Sequence, residues 1–249
     1  MKVVLSLVLL AAACAAAPAR AGEPAPPNCE VPGYLLSTES RLPKVADVIR
    51  KARPLEILVV GSRSSSIPSA EDSAYPARLQ VMLKDRLPSI AVRVSVELQN
   101  KKTAEEVGSD LVKLVEVKNP TLVIWQTGTI DAMRSIDPDD FRKSVSNGVA
   151  AVQNTGVDVI LLNLQYSPRT ETMITVPPYL DAMRVVAEER DIPLFDRFTM
   201  MRHWHDHGDF DLLSASRGND LAKRVHDCLG RALATFVVDA ASPAPAGQN

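Results

Sequence analysis

Five short runs rich in Val, Ile and Leu recur along the chain, at residues 55–60, 90–96, 121–125, 157–162 and 192–195. Segments with helical signals separate them. Residues 42–52 have helical periodicity, and Pro76 suits the first turn of a helix over 76–87. Glu105 and Glu106 stand near the start of a helix predicted over 103–117, and Asp137-Pro138-Asp139-Asp140 opens one that runs to about Gly156. A further helix is predicted over 178–190. In a last one, over 221–237, Leu221, Val225, Leu229, Leu233 and Phe236 share one face. Strands this uniformly apolar are covered on both sides, and strands alternating with helices pair in parallel. The pattern therefore predicts an α/β fold, a parallel sheet between two helical layers, with no internal repeat and no second domain. Ligands of such sheets sit at the carboxyl ends of the strands, which directs attention to loops 61–74, 97–102 and 127–137.

The chain ends differ from this pattern. Lys2 precedes an apolar run over 3–17, followed by Ala19-Arg20-Ala21. A basic start, a short apolar core and a small-x-small site describe a secretory signal peptide over 1–21, and the run is short for a bilayer span. An exported protein, periplasmic or secreted, with no integral membrane segment after cleavage is expected. Lipidation at Cys14 is the alternative. A Pro-rich arm over 22–41, one domain over 42–238 and a disordered tail over 239–249 complete the predicted organisation. Without the leader two cysteines remain, Cys29 in the arm and Cys228 in the last helix. In an oxidising compartment they form a bridge; otherwise Cys228 is a buried small hydrophobe and Cys29 a free thiol.

Composition narrows the function classes. With 28 Lys and Arg against 30 Asp and Glu, the formal charge is -2, so no basic excess exists to neutralise phosphates and a nucleic-acid partner is not expected. A hydrophobic content of 46% excludes a mainly disordered chain. Aromatic residues are only 4%, too few for a broad carbohydrate-stacking platform.

Motifs at the predicted strand ends resemble those of SGNH/GDSL-type hydrolases. Val59-Val60-Gly61-Ser62-Arg63-Ser64-Ser65, followed by Tyr75-Pro76-Ala77-Arg78-Leu79, is similar to the family's first block. Leu122-Val123-Ile124-Trp125-Gln126-Thr127-Gly128-Thr129-Ile130-Asp131 is similar to its Gly-Thr-Asn-Asp strand end. Gln165-Tyr166-Ser167-Pro168, Met201-Arg202-His203-Trp204 and Cys228-Leu229-Gly230-Arg231-Ala232-Leu233 resemble an exported bacterial branch. The resemblance spans about residues 42–236. It implies a flavodoxin-like, five-stranded αβα sandwich with strand order 2-1-3-4-5 and Gly61, Lys101 and Gly128 at the carboxyl ends of the first three strands. By default it also implies a cofactor-free ester hydrolase.

Such hydrolysis requires a Ser nucleophile, a His base oriented by an Asp, and an oxyanion hole that includes a Gly N–H and an Asn side chain. All five aligned positions are substituted here. The nucleophile is Arg63, whose guanidinium cannot be deprotonated to attack an ester. The oxyanion Gly is Lys101 and the Asn is Ile130, while the Asp and His of the closing block are Arg217 and Asp220. The resemblance thus implies an exported pseudoenzyme acting as a binding or partner module in the cell envelope, with an anionic glycan, another envelope component or an active paralogue as partner. Two alternatives stand beside it. One is an active esterase or acyl-hydrolase on glycan or lipid esters that uses displaced residues, a serine among Ser62, Ser64, Ser65 and Ser66 with His203 or His226 as base. The other is a structural envelope protein.

Two further expectations concern the mouth of this cleft. Arg63, Lys101, Lys102 and Arg217 make it cationic, so Arg63, Lys101 and Arg217 are candidates to bind an anion; alternatively these cations pair with Asp220 and Asp131 and close it. Nucleophile and base having become cation and anion, Arg63 and Asp220 are predicted to form an ion pair. His203, His205 and His207, with Asp206 and Asp209, have the alternation of a metal site on an extended segment, but the surrounding residues read as a short helix and no metal is expected.

Overall fold

The computed structural model describes residues 29–213 and 219–242. After a short 3-10 turn at Gly33–Leu35 the elements alternate as the apolar runs predict. They run α1 (Pro43–Arg50), β1 (Leu55–Gly61), α2 (Tyr75–Arg86), β2 (Val92–Leu98), α3 (Ala104–Lys118), β3 (Leu122–Gln126) and α4 (Thr129–Met133). There follow α5 (Pro138–Asn154), β4 (Asp158–Leu162), α6 (Pro168–Met173), α7 (Pro177–Glu189), β5 (Leu194–Phe195), α8 (Arg197–Asp206) and α9 (Asp220–Ala241). The five strands form one sheet in the order β2-β1-β3-β4-β5, and every pairing is parallel. Helices α1 and α2 pack with α9 on one face, while α3, α5 and α7 pack side by side on the other. The fold is the three-layer αβα sandwich that the sequence predicts.

Local chemistry fixes the joints. The Thr103 hydroxyl accepts the Glu106 N–H while the Glu106 carboxylate accepts the Thr103 N–H, a reciprocal cap on α3. Asp137 caps α5 and Asp196 caps α8 through backbone N–H groups of the first turn. The buried Asp158 carboxylate, at the amino end of β4, accepts the N–H groups of Lys44 and Val45 and so anchors α1 from the sheet. Central strands β3 and β4 are buried along their whole length. Gly148 of α5 lets that helix approach β3, since a Cβ there would lie 2.7 Å from the Trp125 ring.

The Cys29–Cys228 disulfide is formed, with Cα atoms 5.2 Å apart, and it ties the arm to α9. The indole of Trp204 supports the same arm by donating to the Glu30 carbonyl, 3.1 Å away. The predicted disordered tail needs correction at its start, because residues 239–241 belong to α9. Ala240 and Ala241 are buried there, the Ala240 carbonyl accepts the Leu42 N–H at 2.9 Å, and the Asp239 carboxylate accepts the Thr38 N–H. The extra turn is held by the arm, whose packing the helix's own Ala-rich sequence does not disclose. The predicted signal peptide, Cys14 and Arg217 lie outside the described residues. No described helix is long and apolar enough to cross a membrane.

Candidate functional site

Gly61 closes β1, and the chain then turns through Ser62 into a single 3-10 turn, Arg63–Ser65. The turn folds back so tightly that a Cβ on Gly61 would land on the Ser65 hydroxyl. Beside it, β3 ends in Gln126, and Gly128 (φ 96°) starts α4 with a backbone that favours glycine. The two strand ends meet through the Gln126 amide. Its nitrogen donates to the hydroxyls of Ser62 (3.0 Å) and Ser64 (2.9 Å). Its oxygen accepts from Ser65 (2.5 Å), from the Tyr75 hydroxyl (3.3 Å) and from the Arg197 guanidinium (3.1 Å). Ser65 also lies 3.0 Å from the Tyr75 hydroxyl, whose one proton is shared between Ser65 and Gln126. Both amide protons of Gln126 and the accepting capacity of its oxygen are thus committed.

Arg197 is the unexpected member. It begins α8 directly after β5 and is 1% exposed, yet no carboxylate pairs with it among the described residues. One of its terminal nitrogens, Nη1, contacts Gln126 and, at 3.4 Å, Ser64, while Nε and Nη2 have no partner among the described residues. Burial lowers its pKa to about 10, an effect that Tyr75 partly offsets. Burial also raises the pKa of Tyr75. His226 of α9 completes the cluster: its Nδ1 accepts the Tyr75 N–H at 2.9 Å. Desolvation first, and the Arg197 charge second, push the His226 pKa down to about 4, so the ring is neutral at physiological pH.

The cleft between these strand ends is lined by Gly61, Ser62, Lys102, Gly128, Ile130 and Asp131, among others. About 20 Å³ is open to the centre of a water-sized sphere, enough for about one water. Ile130, in the place of the Asn donor, presents an aliphatic side chain to it. Asp131 is buried, and one of its carboxylate oxygens accepts the Ala104 N–H at 2.9 Å at the start of α3. Burial raises its pKa despite that bond.

The predicted Arg63–Asp220 ion pair is absent. Both side chains are exposed, and neither forms an ion pair among the described residues. Asp220 is the first residue of α9, where the helix dipole and water stabilise a carboxylate without a partner cation. Among the described residues no cation pairs with Asp220 or Asp131: Lys102 pairs with Asp110 at 2.7 Å, and Arg134 pairs with Glu106 at 3.3 Å. Lys101 keeps a left-handed backbone (φ 64°), its side chain is exposed, and its carbonyl accepts from Arg134 at 2.8 Å. Of the four described aligned positions, only Ile130 lines the small cleft; Arg63, Lys101 and Asp220 stand on the surface.

The histidines separate as helix geometry requires. His203 and His207 stack with centroids 4.0 Å apart, while His205 turns toward Tyr166 and the Phe210 carbonyl. Neither His203 nor His226 hydrogen-bonds a serine among the described residues. The residues that the motif comparison passed over are Gln126, Tyr75 and Arg197. A polar residue ending an apolar strand was the visible signal for Gln126; nothing in the sequence marks Arg197 as buried.

Parallel strand order and αβα layers define a three-layer α/β fold, one that the solved structure of a GDSL-family lipolytic protein shares. The family model of the non-GDSL lipase-like family matches residues 28–243, and the chain belongs to that family. Solved structures share the fold at low identity. TesA superposes with a TM-score of 0.56 at 20% identity, over 72% of this chain and 97% of its own. A two-domain esterase, CEX, active on acetylated mannans, gives 0.68 at 13% identity, over 85% of this chain and 57% of its own. A catalytic mutant of Axe2, an acetylxylan esterase from Geobacillus stearothermophilus, gives 0.58 at 15%, over 72% and 92%. Comparison with curated proteins finds no match.

Proposed function

We propose that this chain is an exported, non-catalytic member of its family, an esterase scaffold that serves as a binding or partner module in the cell envelope. One observation carries the proposal: the hydroxyls of Ser62, Ser64 and Ser65 are held by the Gln126 amide, and none has an imidazole within hydrogen-bonding distance among the described residues. A serine attacks an ester only when a base removes its proton. The nearest imidazole of this network, His226, uses Nδ1 to accept the Tyr75 N–H, and Arg197 disfavours the imidazolium that a general base must become. The exposed cations Arg63 and Lys101 suit a carboxylate, sulfate or phosphate group of an envelope polymer, with Arg217 as a third candidate by sequence.

The test is turnover of short-chain nitrophenyl esters and acetylated xylan, together with labelling by a serine-reactive fluorophosphonate. Neither turnover nor labelling is expected. Turnover abolished by alanine at any one of Ser62, Ser64 or Ser65 would establish the displaced-nucleophile esterase instead. In parallel, a uronic-acid or sulfated oligosaccharide should raise the melting temperature of the wild type and not of Arg63→Ala with Lys101→Ala.

A further inference from the structure

We propose that β2 is a two-fold contact through which two copies of this chain join their sheets edge to edge into one ten-stranded sheet. The strand lies at the margin of the sheet and, among the described residues, pairs only with β1. The Ala91 carbonyl accepts the Leu55 N–H, and the Gln99 N–H donates to the Gly61 carbonyl, so odd-numbered residues turn their backbone groups inward. Val92, Val94, Val96 and Leu98 therefore turn theirs to the free edge. The Val94 N–H, which donates outward to the Gln80 side chain at 2.8 Å, shows this orientation directly. Gln80 stands where a neighbouring strand's carbonyl would be, and pairing replaces one acceptor with another.

The sequence of the strand is complementary to itself when reversed about Ser95. Val-Arg-Val-Ser-Val-Glu-Leu then places Arg93 against Glu97 of the second copy, Val94 against Val96 and Val92 against Leu98. In this register Val94–Val96 and Val92–Leu98 are the hydrogen-bonded pairs. Arg93–Glu97 and Ser95–Ser95 are the non-hydrogen-bonded pairs, whose side chains approach most closely. Opposite charges thus meet where contact is tightest, twice per dimer. Ser95 at the axis is small, and its hydroxyl donates to the Ile57 carbonyl at 3.3 Å, which leaves the axis uncrowded. Glu97 already bonds Lys118 at 2.7 Å, and Arg93 bonds Glu56 at 3.3 Å, so the dimer extends each pair into a chain of four alternating charges.

On the α2 face, Val96 and Leu98 are 39% and 41% exposed, and Val81 of α2 is 40% exposed. An unpaired edge of seven residues with one apolar face invites association unless something covers it. Gln80 caps one donor only. A second copy covers the whole strand, and it is the occupant whose charges match, because the complement of β2 is β2.

Sedimentation of the purified chain with its disulfide intact, from micromolar to submillimolar concentration, tests this. A reversible dimer is expected. Arg93→Glu or Glu97→Arg alone should raise its dissociation constant at least about tenfold, and the two together should restore it to within about threefold. Val96→Lys, which leaves both charges in place, should also raise the dissociation constant at least about tenfold. Circular dichroism confirms that each variant is folded. A monomer throughout, a dimer indifferent to all these substitutions, or single charge reversals that the double variant fails to rescue would each overturn the proposal.

Discussion

Replacing His226 with Asn removes a titration that the buried cluster holds well below its ordinary range. The ring is 9% exposed, its Nδ1 accepts the Tyr75 N–H, and burial with the neighbouring Arg197 lowers its pKa to about 4. In the unfolded chain the same ring titrates near 6.5. Between those values the unfolded state binds a proton that the folded state refuses. The stabilising contribution is therefore complete above pH 6.5 and is lost as the pH falls toward 4, at up to about 1.4 kcal/mol per pH unit and roughly 3 kcal/mol in total. Asp131 and Asp158 act in the opposite sense. Burial raises their pKa values, so the folded state takes up their protons first, and their contribution is greatest at low pH and fades as the pH rises through those raised values. The wild-type profile mixes these effects, and only its difference from the variant isolates His226.

Asn suits the comparison because its amide oxygen can accept the Tyr75 N–H and nothing in it titrates. Urea unfolding at several pH values from 7 to 4.5, with the disulfide intact, gives both profiles. At pH 7 the variant should be less stable by about 1 kcal/mol, the effect of an imperfect replacement in a packed site. By pH 4.5 the difference should have moved by roughly 2–3 kcal/mol in the variant's favour. Parallel profiles would show that the folded ring titrates as it does in the unfolded chain. A shift in favour of wild type at low pH would show that the folded state prefers the imidazolium. Either result refutes the argument.

Arg197→Met should raise stability at neutral pH by about 1–3 kcal/mol, because an unpaired buried guanidinium with two unpartnered nitrogens gives way to apolar packing. NMR titration of that variant should also find the His226 pKa above its wild-type value; destabilisation together with an unchanged His226 pKa would contradict both points. Cys29→Ser should lose about 2–5 kcal/mol in chemical unfolding, as reduction of the wild type should, because the bridge closes a loop with a sequence separation of 199 residues. A midpoint indifferent to reductant and to this substitution would show that the arm does not depend on the bridge.

How much of this was legible in the sequence depends on whether the information is local. Strands β1, β3 and β4 are almost wholly apolar runs, so pattern alone located them, and the crossover rule with the family resemblance gave their order. Helix starts were legible where Pro76 or Asp137 marks them, because first-turn preferences are local chemistry. The end of α9 was not, since Ala240 and Ala241 are held by the arm packed against them. The site divides in the same way. Motif alignment placed Ile130 in the cleft, because it follows the end of β3 by only four residues. It placed Arg63 opposite Asp220 on the assumption that substituted side chains keep the directions of the Ser and His they replace. A long guanidinium and a helix-terminal carboxylate gain more from water than from each other at such a surface, and no exposed ion pair compensates the entropy of holding two flexible chains together. Instead, the cation buried behind the serines is Arg197, supplied by a different strand end. Gln126 recruits it because an amide oxygen already accepting from a serine and a tyrosine can also accept from a guanidinium. The space behind the serine turn is filled: a neutral imidazole, a tyrosine, an amide and one unpaired cation occupy it, and the amide of that set holds the hydroxyls of Ser62, Ser64 and Ser65.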